Sequence, residues 1–100
     1  SEHPAVAESA NNLALVYAEQ KLYEKAEPLY LRAIQIIEKS KGPEHPSLVT
    51  YMNNLANLYL EEGKREPARL FFEKAIVIGV KRLGATHPTV LTVKENLRML

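Results

Sequence analysis

Apolar residues recur three and four positions apart along most of the chain, the spacing of one face of a helix. Val6, Ala10, Leu13, Ala14 and Tyr17 form a first run, and Ala26, Leu29, Tyr30, Ala33, Ile34 and Ile37 a second. Met52, Leu55, Ala56 and Tyr59 repeat the first pattern. Ala68, Phe71, Phe72, Ala75, Ile76 and Val80 repeat the second. Proline follows histidine at His3-Pro4, His45-Pro46 and His87-Pro88. A first helical position suits it, because the N–H it lacks would have no partner there. Gly42 and Gly84 fit the position that closes a helix, and Gly63 a tight turn between helices. The pattern predicts helices over 4–20, 23–40, 46–62, 66–82 and 88–99. The chain is therefore read as all-α, with about five helices paired into antiparallel hairpins.

The three His-Pro pairs stand 42 residues apart. At that offset, residues 3–42 and 45–84 share 15 identities in 40 positions, among them Asn11/Asn53, Asn12/Asn54, Leu13/Leu55, Ala14/Ala56, Tyr17/Tyr59, Ala26/Ala68 and Ala33/Ala75. A fixed period in this range is the mark of a solenoid, in which each unit buries its apolar face against the next. The expected organisation is one domain over 1–100: a first repeat at 3–42, a second at 45–84, and a partial repeat or capping helix at 87–100. The abrupt start at Ser1-Glu2-His3 suggests a piece of a longer protein. The expected structural core is Leu13, Ala14, Tyr17, Ala26, Tyr30 and Ala33, with Leu55, Ala56, Tyr59, Ala68, Phe72 and Ala75. Alanine serves where backbones approach closely, and the aromatic rings fill the wider gaps. Lys21 stands where the second unit has Gly63, so a positive φ there would carry ~1 kcal/mol of strain. Pro28 falls inside a predicted helix and is expected to disturb it only locally, or to shift its start towards Glu24.

Composition removes several functions. Thirteen basic residues against twelve acidic ones give a net charge of +1, with no basic stripe for nucleic acid. Without cysteine there is no disulfide framework and no thiolate ligand or nucleophile. No apolar run is long enough to span a membrane, and a cytoplasmic setting is expected. The three histidines would sit ~10 Å apart in a stack, too far for one ion, and are read as caps or loop anchors. No catalytic triad order, HExxH or phosphate-binding glycine loop exists. No enzyme activity, metal or cofactor is expected.

The Leu13-Ala14, Tyr17, Ala26, Tyr30, Ala33 array, repeated as Leu55-Ala56, Tyr59, Ala68, Phe72, Ala75, resembles the tetratricopeptide repeat. The 42-residue length, with NNLALVY, YEKAEPLY, GPEHP, NNLANLY and GATHP, is similar to the kinesin light chain type of that repeat. The resemblance implies stacked hairpins in a right-handed superhelix whose first helices line a concave groove. In that family the groove receives short peptide segments held by asparagines. It also implies that a clamp for a terminal carboxylate would need basic residues where this chain has Asn11, Thr50, Asn54 and Thr92, so binding of chaperone tails is not expected.

The residues point to the same face. Asparagine is a poor helix-interior residue because its side chain competes for backbone hydrogen bonds, yet six lie on aligned faces of the first helices. A carboxamide both donates and accepts, which suits an extended peptide backbone. The expected peptide-binding residues are Asn11, Asn12, Leu15, Glu19, Thr50, Asn53, Asn54, Asn57, Glu61, Thr92 and Asn96. Glu8, Glu19, Glu61 and Glu95 give the groove acidic edges and favour a peptide with basic or apolar side chains. Two alternatives stay open: Asn12, Asn54 and Asn96 bond to neighbouring helices and hold the stack, or the segment is a structural spacer or a self-association segment of a larger scaffold protein, the latter pairing with the open end of another copy.

Overall fold

The computed structural model describes residues 3–100; Ser1 and Glu2, where the expected excised start falls, lie outside the described residues. Five helices follow in order: α1 (Pro4–Glu19), α2 (Tyr23–Lys41), α3 (Ser47–Glu61), α4 (Arg65–Leu83) and α5 (Pro88–Arg98). Each boundary lies within one residue of the sequence expectation. The chain fills 32 × 31 × 20 Å.

Backbone chemistry explains the boundaries. His3 and His87 are N-caps whose Nδ1 accepts from the N–H of Ala5 at 3.0 Å and of Thr89 at 3.1 Å. His45 does the same for Ser47 at 3.1 Å, with Pro46 already in helical conformation. Each histidine thus satisfies one of the donors that a helix start leaves free. At the other end, Gly42 and Gly84 take φ values of 100° and 102° after α2 and α4. The α1–α2 turn does require positive φ: Lys21 sits at 62° where Gly63 sits at 79°, so Lys21 carries the expected strain. α2 passes through Pro28 unbroken and starts at Tyr23, not at Glu24.

Packing follows the repeat. α1 lies against α2 and α3 against α4 as hairpins, while α3 also packs on α2 and α5 on α4. The first helices touch along one side, α1 with α3 and α3 with α5. Ala14, Ala26, Ala33, Ala56, Ala68 and Ala75 are fully buried, with Tyr30, Leu55 and Phe72 between them and Tyr59 nearly so; Tyr17 packs partly buried at the edge. Leu13 is a correction: it is 44% exposed, whereas Leu55, at the same place one unit later, is fully covered. The reason is positional. Leu55 lies on a helix with a hairpin on either side, but α1 has described neighbours on only one.

A second departure from the repeat lies at Gly79, where the first unit has Ile37. A Cβ at Gly79 would stand 2.7 Å from Cγ2 of Val90. The absent side chain is what lets α5 seat against α4.

Candidate functional site

The first helices carry two different sets of polar residues. One set closes on itself. The Asn54 side-chain amide donates to Oδ1 of Asn11 at 3.1 Å, and Asn96 donates to Oδ1 of Asn53 at 3.0 Å. Both bridges join consecutive units, and both run from the equivalent positions Asn54 and Asn96 to the first asparagine of the pair in the unit before. Asn11 is 4% exposed, the one buried polar side chain among the described residues, so its carbonyl needs that donor. These bridges hold the stack, as the structural alternative expected for Asn54 and Asn96. Asn12 makes no such bond; it is exposed on α1.

The second set converges on a cleft of about 200 Å³ between α1 and α3. Leu15 and Glu19 from α1 face Asn54, Asn57 and Glu61 from α3, with Tyr30 of α2 beneath and Ala18 and Leu58 between. Five of the sequence-expected residues meet here. Asn11, Asn12, Asn53, Thr50, Thr92 and Asn96 do not line this cleft, and the Thr92 hydroxyl is taken by the carbonyl of Pro88 at 3.0 Å.

Tyr30 was legible in the sequence only as core. It is nearly inaccessible, and its hydroxyl is pushed up to about 12, first by burial and then by the negative charges of Glu61 and Glu19. It therefore stays protonated at neutral pH. That shift also shows two carboxylates acting on one point of the cleft, a potential that favours cations and N–H donors. Asn57 has neither a counterpart asparagine in the other units, where Leu15 and Met99 stand, nor a hydrogen bond to another helix. Its carboxamide is left to present both a donor and an acceptor at the cleft wall.

Further along the hairpin edge, the Tyr59 hydroxyl donates to Oε2 of Glu27 at 2.9 Å and its ring meets Phe71 at 6.0 Å between centroids. Burial, then the bond to Glu27, raises it to about 12 as well. This contact ties α3 to α2 and lies outside the cleft. No group of histidine and carboxylate side chains among the described residues is arranged to hold a metal ion, and no helix among them is long and apolar enough to cross a membrane.

Helix hairpins stacked at a fixed period, with a lined cleft on the first-helix side, define a class of helical repeat scaffold. The chain belongs to the tetratricopeptide repeat family, whose model matches residues 5–78. Such domains are non-catalytic and work in protein–protein interaction. Among solved structures the chain is similar to BtubC (BKLC) from P. vanneervenii, at 24% identity and a TM-score of 0.89 over 99% of this chain and 39% of that one. It is also similar to a Podosopora anserina protein assigned as a kinesin light chain with nearly identical tetratricopeptide-like repeats. There the identity is 28% and the TM-score 0.84, over 99% of this chain and 47% of the other. The chain thus spans less than half the length of these structures. No curated protein matches it.

Proposed function

We propose that the chain binds a short, extended peptide segment of another protein along its first-helix face, with the α1–α3 cleft as the principal contact. The observation that carries this reading is the convergence of Asn57, Glu19 and Glu61 over the protonated Tyr30 hydroxyl. The free carboxamide of Asn57 matches a peptide bond, and the carboxylates favour a lysine or arginine side chain over an acidic one. The unit length, the His-Pro starts and the likeness to the Podosopora anserina structure support a repeat of the kinesin light chain type. A library of labelled peptides varied in charge tests the proposal. Asn57→Ala and Glu61→Gln should each weaken a selected basic peptide about tenfold, the equivalent of ~1.4 kcal/mol, with little change in melting temperature. Asn54→Ala is a poorer probe, because it also breaks the bridge to Asn11. Selection of acidic peptides, or unchanged binding by both variants, refutes the reading.

One observation favours a second use, self-association. Val6, Leu13 and Val16 are 41%, 44% and 47% exposed on α1, whereas their counterparts Leu48, Leu55 and Leu58 are buried. Sedimentation over a concentration series decides it: a dimer dispersed by Leu13→Glu supports self-association, and a monomer throughout removes it.

A further inference from the structure

A second cleft, of about 480 Å³, opens on the side of the molecule formed by the second helices, and it shares no lining residue with the α1–α3 cleft. Its floor is apolar: Met52 of α3 and Ile78 of α4 are 3% and 7% exposed. Leu70 and Val77 stand on its α4 wall at 49% and 66% exposure, unusually open for aliphatic residues that face a common cleft. The rim carries three carboxylates, Glu38 near the end of α2, Glu44 in the loop after it and Glu73 on α4, against one ammonium, Lys74.

The repeat does not require this surface. Residues that stack the units recur at 42, but Leu70 and Val77 correspond to Pro28 and Gln35 in the first unit. Apolar side chains that break the period and stay in solvent are not explained by building the solenoid, and an exposed apolar cleft rimmed by charge is the signature of an interaction site. Charge indicates the partner. Glu44 is paired with Lys81 at 2.9 Å, and the Lys74 ammonium lies 5.3 Å above the Phe71 ring. Glu38 and Glu73 have no ion pair among the described residues. Leu70 and Val77 are seven residues apart on one face of α4, two turns or ~10.5 Å along the axis. That is the spacing at which a partner helix offers apolar side chains at i, i+3 or i+4, and i+7.

We propose that this cleft docks a basic amphipathic helix of a partner protein, its apolar side chains seated between Leu70, Val77, Met52 and Ile78 and its lysines or arginines meeting Glu38 and Glu73. The surface is separate from the peptide cleft, so the two occupants can be held at once.

Fluorescence anisotropy with a labelled helical peptide tests this, using leucines at i, i+3 and i+7 flanked by lysines. Two controls have the same composition scrambled off one face, or glutamate in place of lysine. The facially ordered lysine peptide should bind, and more weakly as salt rises. Val77→Asp, at an exposed position that leaves the fold intact by circular dichroism, should weaken it about tenfold or more, since a carboxylate would be buried against leucine. The Glu38→Lys/Glu73→Lys double variant should lose affinity for this peptide and gain it for the glutamate-flanked one. Asn57→Ala should bind like wild type. Equal binding of the scrambled or glutamate peptide overturns the proposal, as does indifference to Val77→Asp. Loss of binding in Asn57→Ala also overturns it by moving the contact to the other face. A self-associated wild type that Val77→Asp disperses assigns the cleft to a second copy instead.

Discussion

Gly79→Ala separates the packing argument from simple helix propensity, because the two predict opposite signs. In an exposed helix interior, alanine for glycine gains ~1 kcal/mol. At Gly79 the new methyl would lie 2.7 Å from Cγ2 of Val90, while its distances to the Val49 methyls, 3.6 and 3.7 Å, are ordinary contacts. Val90 is fully buried, and a β-branched side chain has little freedom to turn away. Overpacking of this kind costs ~1–3 kcal/mol. Net destabilisation of ~1 kcal/mol follows, a fall of about 4–8 °C in Tm for a domain of this size. Val90→Ala removes two methyl-sized groups and leaves a cavity, costing ~2 kcal/mol or more. In that background the obstruction is gone, so Gly79→Ala should now stabilise by ~1 kcal/mol. The sign change amounts to a coupling of ~2 kcal/mol between the sites. Urea and thermal unfolding of the four proteins, followed by far-ultraviolet circular dichroism, measures it. If Gly79→Ala raises the stability of both backgrounds alike, the seat of α5 on α4 does not depend on the missing side chain and the reasoning fails.

Three further outcomes follow from the local chemistry. Lys21→Gly should raise stability by ~0.5–1 kcal/mol through relief of the positive φ at 62°, read as a higher Tm; a fall would show that Lys21 contributes contacts worth more than the strain. Tyr59→Phe should cost ~1–2 kcal/mol by removing the hydroxyl that donates to Glu27, with no effect on a peptide bound in the α1–α3 cleft; unchanged unfolding would contradict it. Tyr30 and Tyr59 are each held near 12 in the fold against an ordinary 10, so the native state keeps protons that the unfolded chain releases. Their contribution to stability is full below pH ~10 and is lost as pH rises towards ~12. Ultraviolet titration of the five tyrosines should show two ionising last, together with alkaline unfolding.

What the sequence made legible was whatever the backbone dictates locally or the repeat dictates by recurrence. Proline at a helix start and glycine at a helix end act through φ and the missing N–H, and the His-Pro and Gly42/Gly84 marks set helix ends to within one residue. The buried alanines were readable because they recur. Leu13 was misread for the same reason: recurrence gives a residue's place on its helix but not whether a neighbour covers it. The asparagines were grouped by equivalent position, yet each bridge joins positions one residue out of equivalence, Asn54 to Asn11 and Asn96 to Asn53. The signal was present in the doubling of asparagine within the first two units, at Asn11-Asn12 and Asn53-Asn54. Tyr30 could not be foreseen in the cleft, since the repeat marks it as core and it is almost wholly buried beneath the lining residues. Gly79 and the apolar wall of Leu70 and Val77 are departures from the period, and a reading built on identities passes over departures.

The contact of Gly79 with Val90 also bears on how such a chain can change length. Because every amide bridge has the same sense, removing residues 45–86 would leave Asn96 able to meet Asn11, and the polar register would survive the deletion. The apolar pair at the seam would change: Val90, seated on Gly79, would take the place of the larger Leu48 against the helix that carries Ile37. The units are alike enough to stack but carry distinct neighbours' imprints. Gain or loss of a whole unit would thus keep the amide bridges while exchanging the apolar residues that meet at the seam.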